Sequence, residues 1–581
     1  MRILFLGIFL LSQSLFSQKP LTSDTANGYW SRLTQFIHRS IFVPERNRAR
    51  YDSLEFVHGE QKFIRHRDKR IKSIHVLRAD LMAEYDTNTN KTSDIGLAKF
   101  LNSLHFSTKE GVIKNNLLFK ENDTVNPFSL ADTERILRQL PYIADANIIL
   151  LPREDEDFVD CIIVVQEKFA IGFSYNPLTP AKHKFNVYDR NLGGYGFGLS
   201  GTLYYYPTYQ SSYDYEGQIY VDNLMGSFIT SQLNYTRTQN ENGFLLRFTR
   251  NFLTPKFKYA GGFTIAQVSE FDTQIKLRTY DLQDLWIGRS FLIDPLTNRK
   301  NIIAAVRIGQ IKYRYRPPVS SESNQIFHDY QLLLASLTYR KIDYLQTNMV
   351  LSFGSTEDIP AGYMFKVTGG IKNEEYHSKF YFGTTAGFAG YIQNIGYFGL
   401  RTELGTYHNN NKLVQTVWRN TLNYLTELYS FHEYFLRSIL YATYTTTDQR
   451  LHYDNLYLDS YLRDFSNRLL PGKQRLSLTV EPVLFTPLHF LGFKVALFSF
   501  SDLGFITENK FLFSPKNKFG SIGIGLRILN ESLVFNRLEI RFSFVSAPTN
   551  YSPGWYFHYS GNDPQYYRSV QLTRPEFITY E

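Results

Sequence analysis

From about Phe169 onward, apolar and polar positions alternate along the chain with a period of two. Within 195–204, Tyr195, Phe197, Leu199 and Leu203 share one face, while Gly196, Gly198, Ser200 and Thr202 share the other. Ile522, Ile524, Leu526 and Ile528 likewise oppose Ser521, Gly523, Gly525 and Arg527, and Phe380, Phe382 and Phe388 oppose Gly383, Thr385 and Gly387. Successive side chains of an extended strand point to opposite sides, so this spacing predicts strands with one apolar face. Upstream the pattern is mixed. Ile71–Leu77 reads as a strand. The capping box Ser107-Thr108-Lys109-Glu110 announces a helix that carries Val112, Ile113, Leu117 and Leu118. A second helix is expected to start at Ser129, with Asp132 in its first turn and Leu130, Ile136, Leu137 and Leu140 on one side. Two strands follow, Ala146–Leu151 and Phe158–Gln166, joined by the acidic turn 153–157.

Alternation alone fits two architectures, a soluble sandwich with its apolar face buried or a membrane barrel with that face in lipid. Length separates them. Roughly 410 residues follow the mixed region, and at about 10 residues per membrane strand plus turns they make about 16 strands. About 18 to 20 extended segments meet the strand criteria, and the surplus is assigned to strands continuing into outer loops. A sheet of that size is hard to keep soluble with open edges, whereas a closed barrel has none and pairs every backbone group in lipid. The expected fold is therefore mainly β, a transmembrane antiparallel barrel preceded by one small α+β domain.

Composition agrees. The 581 residues include 42 Tyr and 48 Phe but only 4 Trp, 5 Met and 1 Cys, and the mean hydropathy is -0.29, which excludes a bundle of membrane helices. The single Cys161 allows no disulfide within the chain, and its alternation with Val159 and Ile163 marks it as a small core residue. The opening residues, Met1-Arg2, then the apolar run Ile3–Leu11, then Ser12, Ser14 and Ser17, read as a secretory signal ending by residue 17. Residues 18–67 form a basic segment; between Gln18 and Arg70 there are eleven basic and six acidic residues, most of the +9 net charge. The cluster Arg65–Arg70 lacks interleaved aromatics, so solvent or anionic headgroups are its expected neighbours and nucleic acid is not. The domains are then 68–168 and 169–581.

Catalytic signals are weak. His432-Glu433 lacks the second His of a zinc-protease helix, and Gly198-Leu199-Ser200-Gly201 misses the nucleophile-elbow spacing. No catalytic residue, metal or cofactor is expected. The chemistry lies in charge placement instead. The gap 448–473 contains Tyr461-Leu462-Arg463-Asp464-Phe465, and downstream strands carry Glu481 and, on one face, Phe500, Asp502 and Gly504. A carboxylate is tolerated on the inner side of a membrane strand. A loop folded inward would pair Arg463 with Asp502 or Glu481; the alternative places Arg463 in an outer solvent loop and leaves Asp502 to internal water.

At these residues the chain resembles a known family. The strand-helix-helix-strand-strand unit looks like a POTRA domain, with Thr108–Leu118 and Asp132–Arg138 matching its helices. Asn191-Leu192-Gly193-Gly194-Tyr195-Gly196 resembles the barrel opening of the BamA/TamA superfamily of outer-membrane assembly and secretion proteins. Leu462-Arg463-Asp464-Phe465 is similar to that family's Val-Arg-Gly-Phe loop motif, and Phe500, Asp502 and Gly504 fit its inward-facing strand motif. Asp464 stands where the motif has glycine, which costs conformational freedom if positive φ is needed there.

The resemblance implies insertion or translocation of client polypeptides through a laterally opening outer-membrane barrel, the POTRA-like domain lying in the periplasm. The seam is expected between Phe185–Asn191 and Tyr566–Phe577. Clients would add to the edge formed by Ile71, Ile74 and Val76. Expected partners are unfolded outer-membrane or secreted polypeptides, the lipid bilayer and accessory lipoproteins. The alternative is an outer-membrane channel or secretion pore gated by the Arg463 loop.

Overall fold

The computed structural model of the protein describes residues 56–79, 106–155, 157–179, 182–207, 213–272, 276–294, 299–451, 455–458, 461–465, 471–490, 493–508, 512–533, 537–547, 553–560 and 574–580. The expected signal, most of the basic segment and residues 566–573 of the expected seam lie outside them. Among the described residues no helix is long and apolar enough to cross a membrane.

Two sheets organise the molecule. The smaller has three strands, β1 (Arg70–Ala79), β2 (Ile143–Pro152) and β3 (Phe158–Glu167). Strand β3 lies between the other two, parallel to β1 and antiparallel to β2. Helices α1 (Glu110–Lys114) and α2 (Pro127–Arg138) complete the unit. Two helix starts differ from expectation. The capping box expected from Ser107 to Glu110 does not form: α1 begins after Lys109 without a side-chain cap, while the Thr108 amide donates to Glu167 (3.0 Å) and its hydroxyl accepts from Asn191 (2.9 Å). Helix α2 starts two residues before Ser129, where Asn126 accepts from the Ser129 amide and Pro127 opens the first turn, as proline's fixed φ favours. Leu130, Leu137, Ile71, Ile113, Cys161 and Ile163 are buried together with apolar residues of both helices and all three strands.

The larger sheet is an antiparallel meander. It opens with the short strands β4 (Ile171–Thr179), β5 (Lys182–Asp189), β6 (Phe197–Tyr205), β7 (Tyr213–Val221), β8 (Thr230–Arg237) and β9 (Glu241–Arg250). Longer ones follow: β10 (Tyr259–Asp272), β11 (Lys276–Leu292), β12 (Lys300–Tyr315), β13 (Tyr330–Thr347), β14 (Glu357–Glu374), β15 (Ser378–Ile392), β16 (Gly396–Asn409) and β17 (Lys412–Leu425). The last six are β18 (Tyr434–Asp448), β19 (Gln474–Phe490), β20 (Phe493–Thr507), β21 (Lys518–Leu529), β22 (Leu538–Ser546) and β23 (Gly554–Ser560). Each strand pairs with the next. With the short pieces Val57–His58 and Tyr429–Phe431 they make a 22-stranded sheet, more than the 16 expected. The excess arises because segments assigned to outer loops are themselves paired strands joined by tight turns, such as 375–377 and 410–411.

The meander's ends approach each other. The Tyr559 hydroxyl of β23 donates to the side-chain amide oxygen of Asn176 on β4 (3.2 Å), and the two strands are neighbours in the order of the large sheet. This relocates the expected seam. Phe185–Asn191 is the second strand region, not the first, and Arg574–Phe577 is not in a strand.

Burial in the large sheet is inverted. Ile522 and Ile524 are 60% and 65% exposed, and Phe197, Leu199, Phe380, Phe382 and Phe388 are exposed as well. The opposite face buries Arg340, Arg437, Arg475, Glu481, Asp502 and Arg527. At one end of this sheet the turns hold the small domain. Lys109 donates its amide to the Gly194 carbonyl (2.8 Å), Arg135 reaches the Leu253 carbonyl (2.6 Å), and Arg299 spans both Asp132 oxygens (3.1 Å each). Arg138 forms a two-pronged pair with Asp358 (2.7 and 2.8 Å); burial opposes its charge, but Asp358 and Glu134 beside it raise its pKa.

Candidate functional site on the polar face

The residues 461–465 fold onto the polar face of the large sheet. Arg463 meets Asp502 of β20 with Nε and Nη2, both at 2.8 Å, and its own amide donates to the same carboxylate (3.1 Å). Its Nη1 reaches Glu481 of β19. The guanidinium lies 3.8 Å above the Phe500 ring centre. A planar fork satisfied by two carboxylates and an aromatic face is held far more rigidly than a surface ion pair. Leu462 is buried over Gly504, where an added Cβ would come within 2.6 Å of a Leu462 methyl. Phe465 packs 5.3 Å from Phe519. The structure thus brings together all eight residues singled out in loop and strands: Leu462, Arg463, Asp464, Phe465, Glu481, Phe500, Asp502 and Gly504.

Asp464 adopts φ 61°, the left-handed conformation that glycine would enter without strain. Its carboxylate offsets that cost. It accepts from Arg541 of β22 at 2.9 and 2.6 Å and from the Ser543 hydroxyl at 2.7 Å. Arg541 also pairs with Glu539 (2.9 Å), Glu539 with Arg527 (2.9 Å), and Arg527 with Glu481 (2.6 Å). One continuous alternation of charge therefore runs from Asp502 through the loop to β22. Arg527, Glu539, Arg541 and Ser543 were not singled out from sequence, although each alternates with apolar neighbours as a polar-face residue must.

Two further segments lie on this face. Residues 348–356, between β13 and β14, bury Val350 and Phe353 among Phe485, Phe498 and Phe500. Arg437 donates to the Asn348 carbonyl (2.8 Å), and Glu531 accepts the Phe353 and Ser355 amides (3.0 Å each). Residues 574–580 lie against β11 to β17; Arg574 meets Asp284 (3.1 Å).

In the small domain, Ile71 and Ile74 point into the core and Val76 packs partly against it, so their side chains are not displayed at the β1 edge. Part of that edge is already engaged: the Ile71 amide donates to the Asp123 carbonyl (3.0 Å), and the Ile74 amide to Glu121 (3.2 Å).

Solved BamA and CdiB proteins are similar to this chain. BamA from Haemophilus ducreyi lacking POTRA domains 1-3 is 12% identical, with 91% of this chain and 92% of that chain covered and a TM-score of 0.35. CdiB from Escherichia coli is 9% identical, covering 93% and 99%, with a TM-score of 0.39. CdiB from Acinetobacter baumannii is 11% identical, covering 84% and 72%, with a TM-score of 0.35. No family model matches the chain, and no curated protein matches it. Likeness of this degree is a description, and the functional reading rests on the sheet and the loop themselves.

Proposed function

We propose that the large sheet closes into an outer-membrane barrel and that the protein inserts or translocates client polypeptides, with the three-stranded unit acting as a periplasmic POTRA domain. The observation that carries this reading is the inverted burial: apolar side chains cover the outside of a sheet whose inside is charged and hydrogen-bonded. Water would penalise that exterior, and hydrocarbon would favour it. The loop pegged by Arg463 stiffens the β19–β22 wall next to β23. The margin of β4 against β23, where the first and last strands of the meander meet and the Tyr559–Asn176 hydrogen bond crosses, is where the strands would separate.

Function then runs through backbone chemistry. A client strand would pair with β4 or β23 once they part, and the free energy comes from the client as its apolar face reaches lipid and its amides and carbonyls pair. The β1 edge would hold an extended client before that step. Cysteines placed at Phe173 on β4 and Phe557 on β23 test the proposal by cross-linking in cells that are exporting surface proteins. Adducts with outer-membrane or secreted chains are expected at both positions. Adducts at neither, or recovery of the protein in the soluble fraction, would overturn it.

A further inference from the structure

The segment Arg574–Tyr580 follows the last strand in sequence yet lies far across the sheet, on the polar face of β11 to β17. Its contacts are made mostly to main-chain atoms. The Lys366 ammonium on β14 donates to the Arg574 carbonyl (3.1 Å), and Arg307 on β12 donates to the Pro575 carbonyl (3.0 Å). Tyr381 on β15 accepts the Ile578 amide at its hydroxyl (2.8 Å), and Arg419 on β17 donates to the Thr579 carbonyl (2.5 Å). Asp284 on β11 holds Arg307 in place (2.6 Å) while meeting Arg574. Four side chains on four strands thus read three carbonyls and one amide of a seven-residue stretch.

Side chains of the segment are also received: beside Arg574 at Asp284, Tyr580 packs against the cluster of Leu462 and Phe465. The Phe577 ring stands edge-on to Tyr381, with centres 4.9 Å apart, and lies 5.5 Å from Tyr407. Ile578 lies over Gly405, where an added Cβ would come 3.0 Å from its own Cβ and 3.0 Å from the Tyr381 hydroxyl. The β16–β17 ladder slips its register between Gly405 and Tyr407, immediately beside this aromatic slot. Such a slip re-aims side chains and is a common device next to binding sites.

We infer that the polar face of β11 to β17 is a binding site for an extended polypeptide segment, recognised chiefly through its main chain and an aromatic-aliphatic pair, and that Arg574–Tyr580 occupies it in cis. Donors aimed at carbonyls give affinity with little dependence on sequence, as in strand addition at a sheet edge. With the segment in place Lys366 is only 6% exposed, its ammonium turned to the Arg574 carbonyl. The inference is independent of whether client strands pair at the β4–β23 margin.

The test uses the full chain purified in nonionic detergent and a dye-labelled peptide, Arg-Pro-Glu-Phe-Ile-Thr-Tyr, followed by fluorescence anisotropy. A variant lacking residues 574–580 is expected to bind the peptide at least about tenfold more tightly than the intact chain, in which the site is filled. Methylating the isoleucine amide of the peptide, which removes the donor to Tyr381, should weaken binding by about tenfold. Gly405→Val in the deletion variant should abolish it. If the deletion variant loses its native gel mobility, the full-length Phe577→Ala/Ile578→Ser chain serves in its place, with the same ranking expected. Equal affinity of the intact and opened chains, or indifference to both the methyl group and Gly405→Val, would overturn the inference.

Discussion

The two sheets obey one geometric rule and bury opposite faces. In the three-stranded unit, alternate residues such as Ile71, Cys161 and Ile163 meet the helices in a dry interior. In the large sheet, the same alternation turns Ile522, Ile524 and Phe388 outward and Glu481, Asp502 and Arg527 inward. What differs is where each apolar face goes, into a packed core in one case and to the outside of the sheet in the other, where the proposed function has it meet acyl chains. A sheet's pattern therefore reports that it has an apolar face without reporting where that face goes.

Substitutions can break this comparison, beginning with the polar interior. Glu481→Ala leaves Arg463 and Arg527 without their shared carboxylate, and losing one partner of a buried pair costs about 3–5 kcal/mol; the loss is read as a lower denaturant midpoint of the folded form on semi-native gels. Leu137→Ala should cost about 2–5 kcal/mol in the small domain. Its effect should appear as faster amide exchange in 110–167 while the large sheet stays protected. Ile524→Arg, at an exposed position on the apolar face, sharpens the contrast. It should cost about 2–4 kcal/mol in lipid vesicles, where a charge on the outer face meets hydrocarbon; no loss in vesicles would mean that this face meets water. The smallest effect separates two replacements of Asp464. Both lose the Arg541 and Ser543 contacts, but glycine relieves the φ of 61° and alanine does not, so Asp464→Gly should retain about 1 kcal/mol more stability than Asp464→Ala.

Much of this was legible along the chain. The order strand-helix-helix-strand-strand and the period-two faces follow from spacing, since period is a local property; for Arg463, spacing left pairing with Asp502 or Glu481 and an outer solvent loop equally open. Helix starts were less so: Ser107 opens a capping-box pattern, but the helix starts only after Lys109, and the groups of neighbouring Thr108 are taken by Glu167 and Asn191, partners distant in sequence. The seam was misplaced for a similar reason. Pro177 weakens the strand signal of Ile171–Thr179, and only the approach of Tyr559 to Asn176 marks that strand as the first of the large sheet.

By itself, the order of residues determined which positions can share a face and which carry charge, because side-chain direction repeats every two residues in any strand. Tertiary structure alone decided which face lies inside, that Arg541 completes the Asp464 anchor, and that residues 574–580 lie across strands some 160 to 290 positions earlier in the chain. Those contacts join residues whose separation carries no period, so they come into being only when the sheet curls.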